Sequence, residues 1–278
     1  MRQPGPVITT TLFRPLHVEL MELLDGLDEE DWLRPTLAKR WRVRDVVAHL
    51  LDGDLRRLSF QRDGQTPPAP PMPIDGYQPL VRFLNKLNDE WVVAARRLSP
   101  RVLVTLLEQS GHEIADLVAT LNPFDRALFP VAWAGEDHSL NWMDLGREYT
   151  ERWHHQQQIR EAVGAPLLLA GRWSSPLFQL SVRALPRAFQ NMDATAGTAV
   201  TVVIEGEGGG SWSVVSEVTG WELYEGGPSA PEATIHLPAD VAWRLFFNAL
   251  PPAAIEAIRV DGRSDLALPI LGARSVMV

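Results

Sequence analysis

The pattern of apolar residues changes once along this chain of 278 residues, and that change constrains the fold more than any other feature. Up to about residue 165, apolar side chains recur at three- and four-residue spacing, the signature of one-sided helices. Five stretches carry it: "TTLFRPLHVELMELLDGL", "VRDVVAHLLDGDLRRLSF", "YQPLVRFLNKLNDEWVVAARRL", "SPRVLVTLLEQSGHEIADLVATL" and "LNWMDLGREYTERWHHQQQIREAVG". Ser99 before Pro100 is placed as an N-cap, and Gly164 as a C-terminal stop. Helices of this kind joined by loops predict a bundle. Between the second and third, "DGQTPPAPPMPIDG" (residues 63–76) has too many prolines for helix or strand, so an extended connection is expected there.

Beyond Gly171 the texture differs. One more helix is expected over "SSPLFQLSVRALPRAFQNM". "TAVTVVIEGEGGGSWSVVSEV" then places two β-branched runs around a glycine-rich turn, which predicts a hairpin. "GWELYEG", "ATIHLP" and "IRVDG" read as further strands, and "ADVAWRLFFNAL" as a helix. The whole is α+β. The boundary falls near residues 165–171, with a helical bundle over 1–168 and a small α+β domain over 169–278.

Composition excludes several function classes. A net charge of −9 argues against nucleic-acid binding, which needs a basic surface. With no cysteine there is no disulfide, thiolate metal cluster or cysteine nucleophile, so any thiol chemistry must use a thiol from another molecule. No apolar run approaches the ~20 residues that span a bilayer, and the N-terminal stretch lacks a signal-peptide pattern. A soluble, cytoplasmic protein is expected. "EGEGGG" lacks the Lys-Ser/Thr and the helix of a phosphate loop and reads as a turn. Most of the ten tryptophans sit beside aliphatics at helical spacing and read as core.

"ERWHHQQQIREAVG" (residues 151–164) is the stretch richest in metal-binding side chains. Glu151 and His155, four apart, share one helix face and can reach a common point. A divalent metal accepts imidazole and carboxylate together, and a third ligand must come from elsewhere. His49 is the best candidate, because it falls off the apolar stripe of its helix beside Asp45 and Asp52. Glu151 and His155 likewise lie opposite the apolar side of theirs, which places them towards solvent or a cleft. A merely solvated polar face has the same pattern. Asp45 with His49, and Glu108 with His112 and Asp116, repeat the spacing, and His154 rivals His155; His17, His138 and His236 stand alone.

Two stretches resemble the mycothiol-dependent maleylpyruvate isomerase family, whose N-terminal domain is a DinB-like metal-binding four-helix bundle. "WRVRDVVAHLLDGD" is similar to the family's Trp-x-Val-x-Asp-Val-x-x-His-Leu segment, and "ERWHHQQQIREAVG" to its Glu-x-x-x-His-x-x-Asp-x-Arg-x-Ala-x-Gly segment. Glu151, His155, Arg160 and Gly164 set the register. "PEATIHLPADVAWRLFFNAL…IRVDGRSDLALPIL" resembles the sterol-carrier-protein-like domain common in that family. The resemblance implies a metal site made of His49, Glu151 and His155, filled by zinc or nickel; Asp52, one helical turn from His49, is expected to orient that imidazole. It further implies a low-molecular-weight thiol such as mycothiol as cosubstrate, a small electrophilic substrate, isomerase or thiol-transferase chemistry, and a homodimer. Two departures stand out: Gln158 where the family has aspartate, and Arg263 after Gly262 where it has Gly-Asp. Two other readings remain open. One is a binding protein for an apolar ligand, suggested by "AWRLFFNAL" and the tryptophans. The other is a bundle that has lost its metal.

Overall fold

The computed structural model describes residues 1–70 and 74–276, in two compact units. The helical unit comprises Thr9–Leu128 and Glu148–Leu167. It contains α1 (Phe13–Asp25), α2 (Val43–Arg57), α3 (Tyr77–Ala95), α4 (Pro100–Thr120) and the larger part of α5 (Asn141–Val163). α2 packs against both α3 and α4, and α1 against α4. Leu20, Val47, Leu51, Leu103, Leu107 and Ile159 meet in its core. The expected ends are present. The Ser99 hydroxyl accepts a hydrogen bond from the Val102 N–H at the start of α4, and Gly164 adopts φ +73° directly after α5. Of the proline-rich stretch, residues 64–70 and 74–75 are neither helix nor strand, and residues 71–73 lie outside the described residues.

α5 departs from expectation. Every residue from Trp153 to Arg160 is buried, including His154, His155, Gln156, Gln157 and Gln158. Its polar side is therefore not a solvated face. A helix so enclosed must satisfy its polar side chains within the protein.

The other unit comprises Met1–Ile8, Phe129–Arg147 and Leu168–Val278. Its sheet has five strands: β1 (Ala199–Ile204), β2 (Gly210–Glu217), β3 (Gly220–Glu225), β4 (Ala233–Leu237) and β5 (Arg259–Gly262). Their order is β3-β2-β1-β4-β5. β1 and β2 form the expected antiparallel hairpin, with Gly206 at φ +100° in the turn, while β4 lies parallel to β1. The single helix expected after Gly171 is divided. α6 (Gly171–Ser181) gives way to a tighter turn at Val182–Ala184, and α7 (Leu185–Phe189) restarts with Pro186 in its first turn, where the missing N–H costs nothing. α8 (Ala239–Phe246) buries Trp243, Leu245 and Phe246, so the residues that suggested an apolar ligand site are packed as core. The architecture is α+β, a helical part followed by a sheet part. Among the described residues no helix is long and apolar enough to cross a membrane.

Candidate functional site

α2 and α5 bring His49 beside His155, and Glu151 stands one turn before His155 on α5. The rings of His49 and His155 lie 4.6 Å apart, edge to face, and Glu151 Oε2 stands 3.4 Å from His155 Nε2. Trp41, just before α2, covers the pair, its ring 4.8 Å from His49 and 6.4 Å from His155. His155 is buried, while His49 and Glu151 are half-buried.

Gln158 organises the histidines. Its Oε1 lies 2.9 Å from His155 Nδ1, and its Nε2 lies 2.9 Å from His154 Nε2. A carbonyl oxygen only accepts, so His155 carries its proton on Nδ1. An amide nitrogen only donates, so His154 offers its Nε2 lone pair to Gln158. That removes His154 as a rival ligand through Nε2 and leaves His155 Nε2 facing the Glu151 carboxylate. Two states satisfy that contact. Either His155 is an imidazolium that donates to Glu151, or a cation lies between two acceptor atoms.

The donor chemistry fits a cation. Two ligand atoms on a tetrahedral zinc stand roughly 3.3 Å apart, close to the Glu151–His155 separation. His49 Nδ1 is enclosed and has no hydrogen-bond partner. Burial, helped by the neighbouring His155 and Arg56, lowers the His49 pKa well below its ordinary 6.5 and keeps the imidazole in the neutral form that ligates metals. As the side chains stand, however, no three His, Asp or Glu residues among the described residues are posed to hold an ion together.

Asp52 goes elsewhere. Its carboxylate pairs with Arg56 at 2.7 Å, and Arg56 also donates to Asn88, so it is not bonded to the His49 ring. Asp45 is no ligand either. It accepts from the Arg42 N–H at the start of α2 and pairs with Arg96. His112 and Asp116 share the exposed Arg14. Arg160, which helped set the sequence register, ties down the end of α5 by donating to the Pro166 and Glu19 carbonyls.

Sequence reasoning missed the charged layer behind the site. Arg152, on α5, donates to the fully buried Asp54, which also accepts from the Ser110 hydroxyl at 2.7 Å. Glu148 pairs with the buried Arg57 at 3.2 Å and lies 3.5 Å from Arg152. The available signal was Asp54 with Ser110, polar residues that face each other from two helices read as amphipathic.

Fold and site together define a two-part α+β protein whose helical part encloses a histidine–carboxylate cluster. The profile of the family described as mycothiol maleylpyruvate isomerase N-terminal domain matches residues 13–160, more than half of the chain, and the chain belongs to that family. Two solved structures resemble it, the mycothiol-dependent maleylpyruvate isomerase and a histidine-to-alanine mutant of that enzyme. Each aligns with a TM-score of 0.52 and 15% identity over 85% of this chain and 86% of the other. That likeness extends the shared fold beyond the bundle. No curated protein matches the chain.

Proposed function

We propose that the protein is a metal-dependent enzyme that uses a small-molecule thiol on a small electrophilic substrate, as an isomerase or thiol transferase. The observation that carries this reading is the contact of His155 Nε2 with Glu151 Oε2 at 3.4 Å, with Gln158 holding the proton on the far side of the ring. Family membership supports the thiol, since the family and both structural relatives are named for mycothiol-dependent chemistry.

His49, Glu151 and His155 would hold the metal. A divalent ion there, zinc or nickel, would supply Lewis acidity that lowers the pKa of a bound thiol, so that its proton passes to solvent near neutral pH. The chain's own residues do the rest. Gln158 fixes the His155 tautomer, so that Nε2 presents a lone pair. Trp41 walls one side and limits water around the two imidazoles. Glu151, half-buried, sets a carboxylate oxygen 3.4 Å from His155 Nε2, a second donor atom beside that lone pair. No cysteine competes for the metal or for the electrophile. Gln158 keeps an acceptor on the ligand histidine, so the departure from the family's aspartate does not by itself disable the site.

Metal analysis of the purified protein beside Glu151→Ala and His155→Ala, followed by turnover assays with mycothiol and a panel of electrophiles, tests the reading. The expected outcome is near-stoichiometric metal, lost in both variants, with thiol-dependent turnover only in the loaded protein. Protein that refuses zinc and nickel at neutral pH would leave His155 and Glu151 a plain ion pair.

A further inference from the structure

Beside α5, on a face about 100° around the helix from Glu151 and His155, is a small cavity of about 10 Å³ within the helical unit. Leu50, Leu107 and Ile114 give it an apolar wall, and His17, Arg152 and Gln156 also line it. An apolar hole this small would normally be tolerated as a packing defect. This one differs in its polar rim. His17 Nε2, Arg152 Nε and both amide atoms of Gln156 are enclosed and have no hydrogen-bond partner. His17 is 6% exposed and Gln156 0%, so solvent cannot serve them. Four unmet groups on three residues that line one cavity would each carry a desolvation penalty if left so.

Their chemistry is complementary to one molecule. Burial, with the nearby charge of Arg152, lowers the His17 pKa to about 4, so the ring is neutral at physiological pH. Its one N–H is given to the Glu108 backbone carbonyl, which leaves Nε2 as a bare acceptor. Gln156 adds an acceptor atom, Oε1, and a donor atom, Nε2, which carries two N–H bonds. Arg152 adds a donor, Nε. The rim therefore offers two acceptor atoms and two donor atoms, enough to meet the two hydrogens and two lone pairs of one water. The volume suits one such molecule at the lower edge of what a water needs.

We infer that this cavity is a binding site for a single structural water, held by His17 Nε2, Arg152 Nε and the Gln156 amide. It ties α5 to α1 through its polar side. Arg152 and Gln156 each follow by one residue a side chain of the candidate site, Glu151 and His155, so the water fixes the rotation of the helix that presents them. A small anion is the rival occupant, but Arg152 is already neutralised by Asp54 and Glu148. The inference stands whether or not a metal binds at the candidate site.

A high-resolution crystal structure grown in bromide decides it. The expected result is one peak without anomalous signal, within hydrogen-bonding distance of His17 Nε2, Arg152 Nε and the Gln156 amide. An anomalous bromide peak, or an empty cavity, overturns the inference. In solution, water-oxygen magnetic relaxation dispersion should count one fewer long-lived internal water in Gln156→Leu than in the unsubstituted protein. An unchanged count speaks against the site. If Gln156→Leu does not fold, the crystal density of the unsubstituted protein still gives the answer.

Discussion

At the scale of single residues, Gln158 has the largest effect for its size, because it touches both histidines of the pair. Gln158→Leu should cut zinc affinity by about 10–100-fold, the usual cost of losing a partner that orients a ligand imidazole. Gln158→Asp, which keeps an acceptor within reach of His155, should recover most of it. A chelator competition titration distinguishes them, and equal affinity in all three proteins would show that the amide has no role in orientation. His17 gives a second prediction. Its folded pKa of about 4 lies below the unfolded 6.5, so the folded state holds fewer protons and acid favours unfolding. Its contribution is complete above about pH 6.5 and is lost as pH falls towards 4, a swing of about 3 kcal/mol. Urea melts between pH 7 and 4 should therefore fall less steeply with acidification in His17→Phe. Gly111 permits this arrangement, since a Cβ there would overlap the His17 ring. Gly111→Ala should cost roughly 1–3 kcal/mol, as overpacking does, and much less when His17→Ala is also present.

At the scale of elements, α5 separates what periodicity reports from what it misses. Its existence, its Gly164 stop and the shared face of Glu151 and His155 were legible in the sequence, because spacing alone places side chains on a face; that His49 of another helix comes beside His155 was an expectation that the family resemblance supplied. The burial of α5 was not legible. A helical wheel reads a cluster of histidines and glutamines as wet, whereas here the cluster is buried and Gln158 partners both His154 and His155 within the same helix. The same blindness hid Asp54 and Arg152, whose pairing depends on which helix lies behind them. That pair yields a prediction: Asp54→Ala strands the Arg152 charge in the interior and should destabilise the helical unit by about 3–5 kcal/mol. A loss below 1 kcal/mol in a denaturant melt would mean that Glu148 alone neutralises Arg152. The Asp52 role failed for a related reason. One helical turn of spacing puts it near His49, but Arg56, also one turn away, is the stronger partner for a carboxylate.

At the scale of the whole molecule, metal binding should show in stability. A ligand that binds only the folded state at 100 times its dissociation constant adds about 2.7 kcal/mol. Zinc should therefore raise the melting temperature of the unsubstituted protein and leave that of His155→Ala unmoved, by calorimetry. The change of texture near Gly171 was readable because periodicity is local. Which distant segments join is not a local property. The sheet unit draws in Met1–Ile8 and Phe129–Arg147 as well as the residues from Leu168 onward, so both units are assembled from separated stretches of chain. This bears on how the protein is made. As the chain leaves the ribosome, the helical unit is complete soon after Leu167 emerges, while the first eight residues and the 129–147 stretch must wait for the rest of their unit, Leu168–Val278. At 5–20 residues per second that wait lasts roughly ten seconds. Throughout it, the buried side chains Val7, Val131 and Trp133 lack their final neighbours and are open to a chaperone.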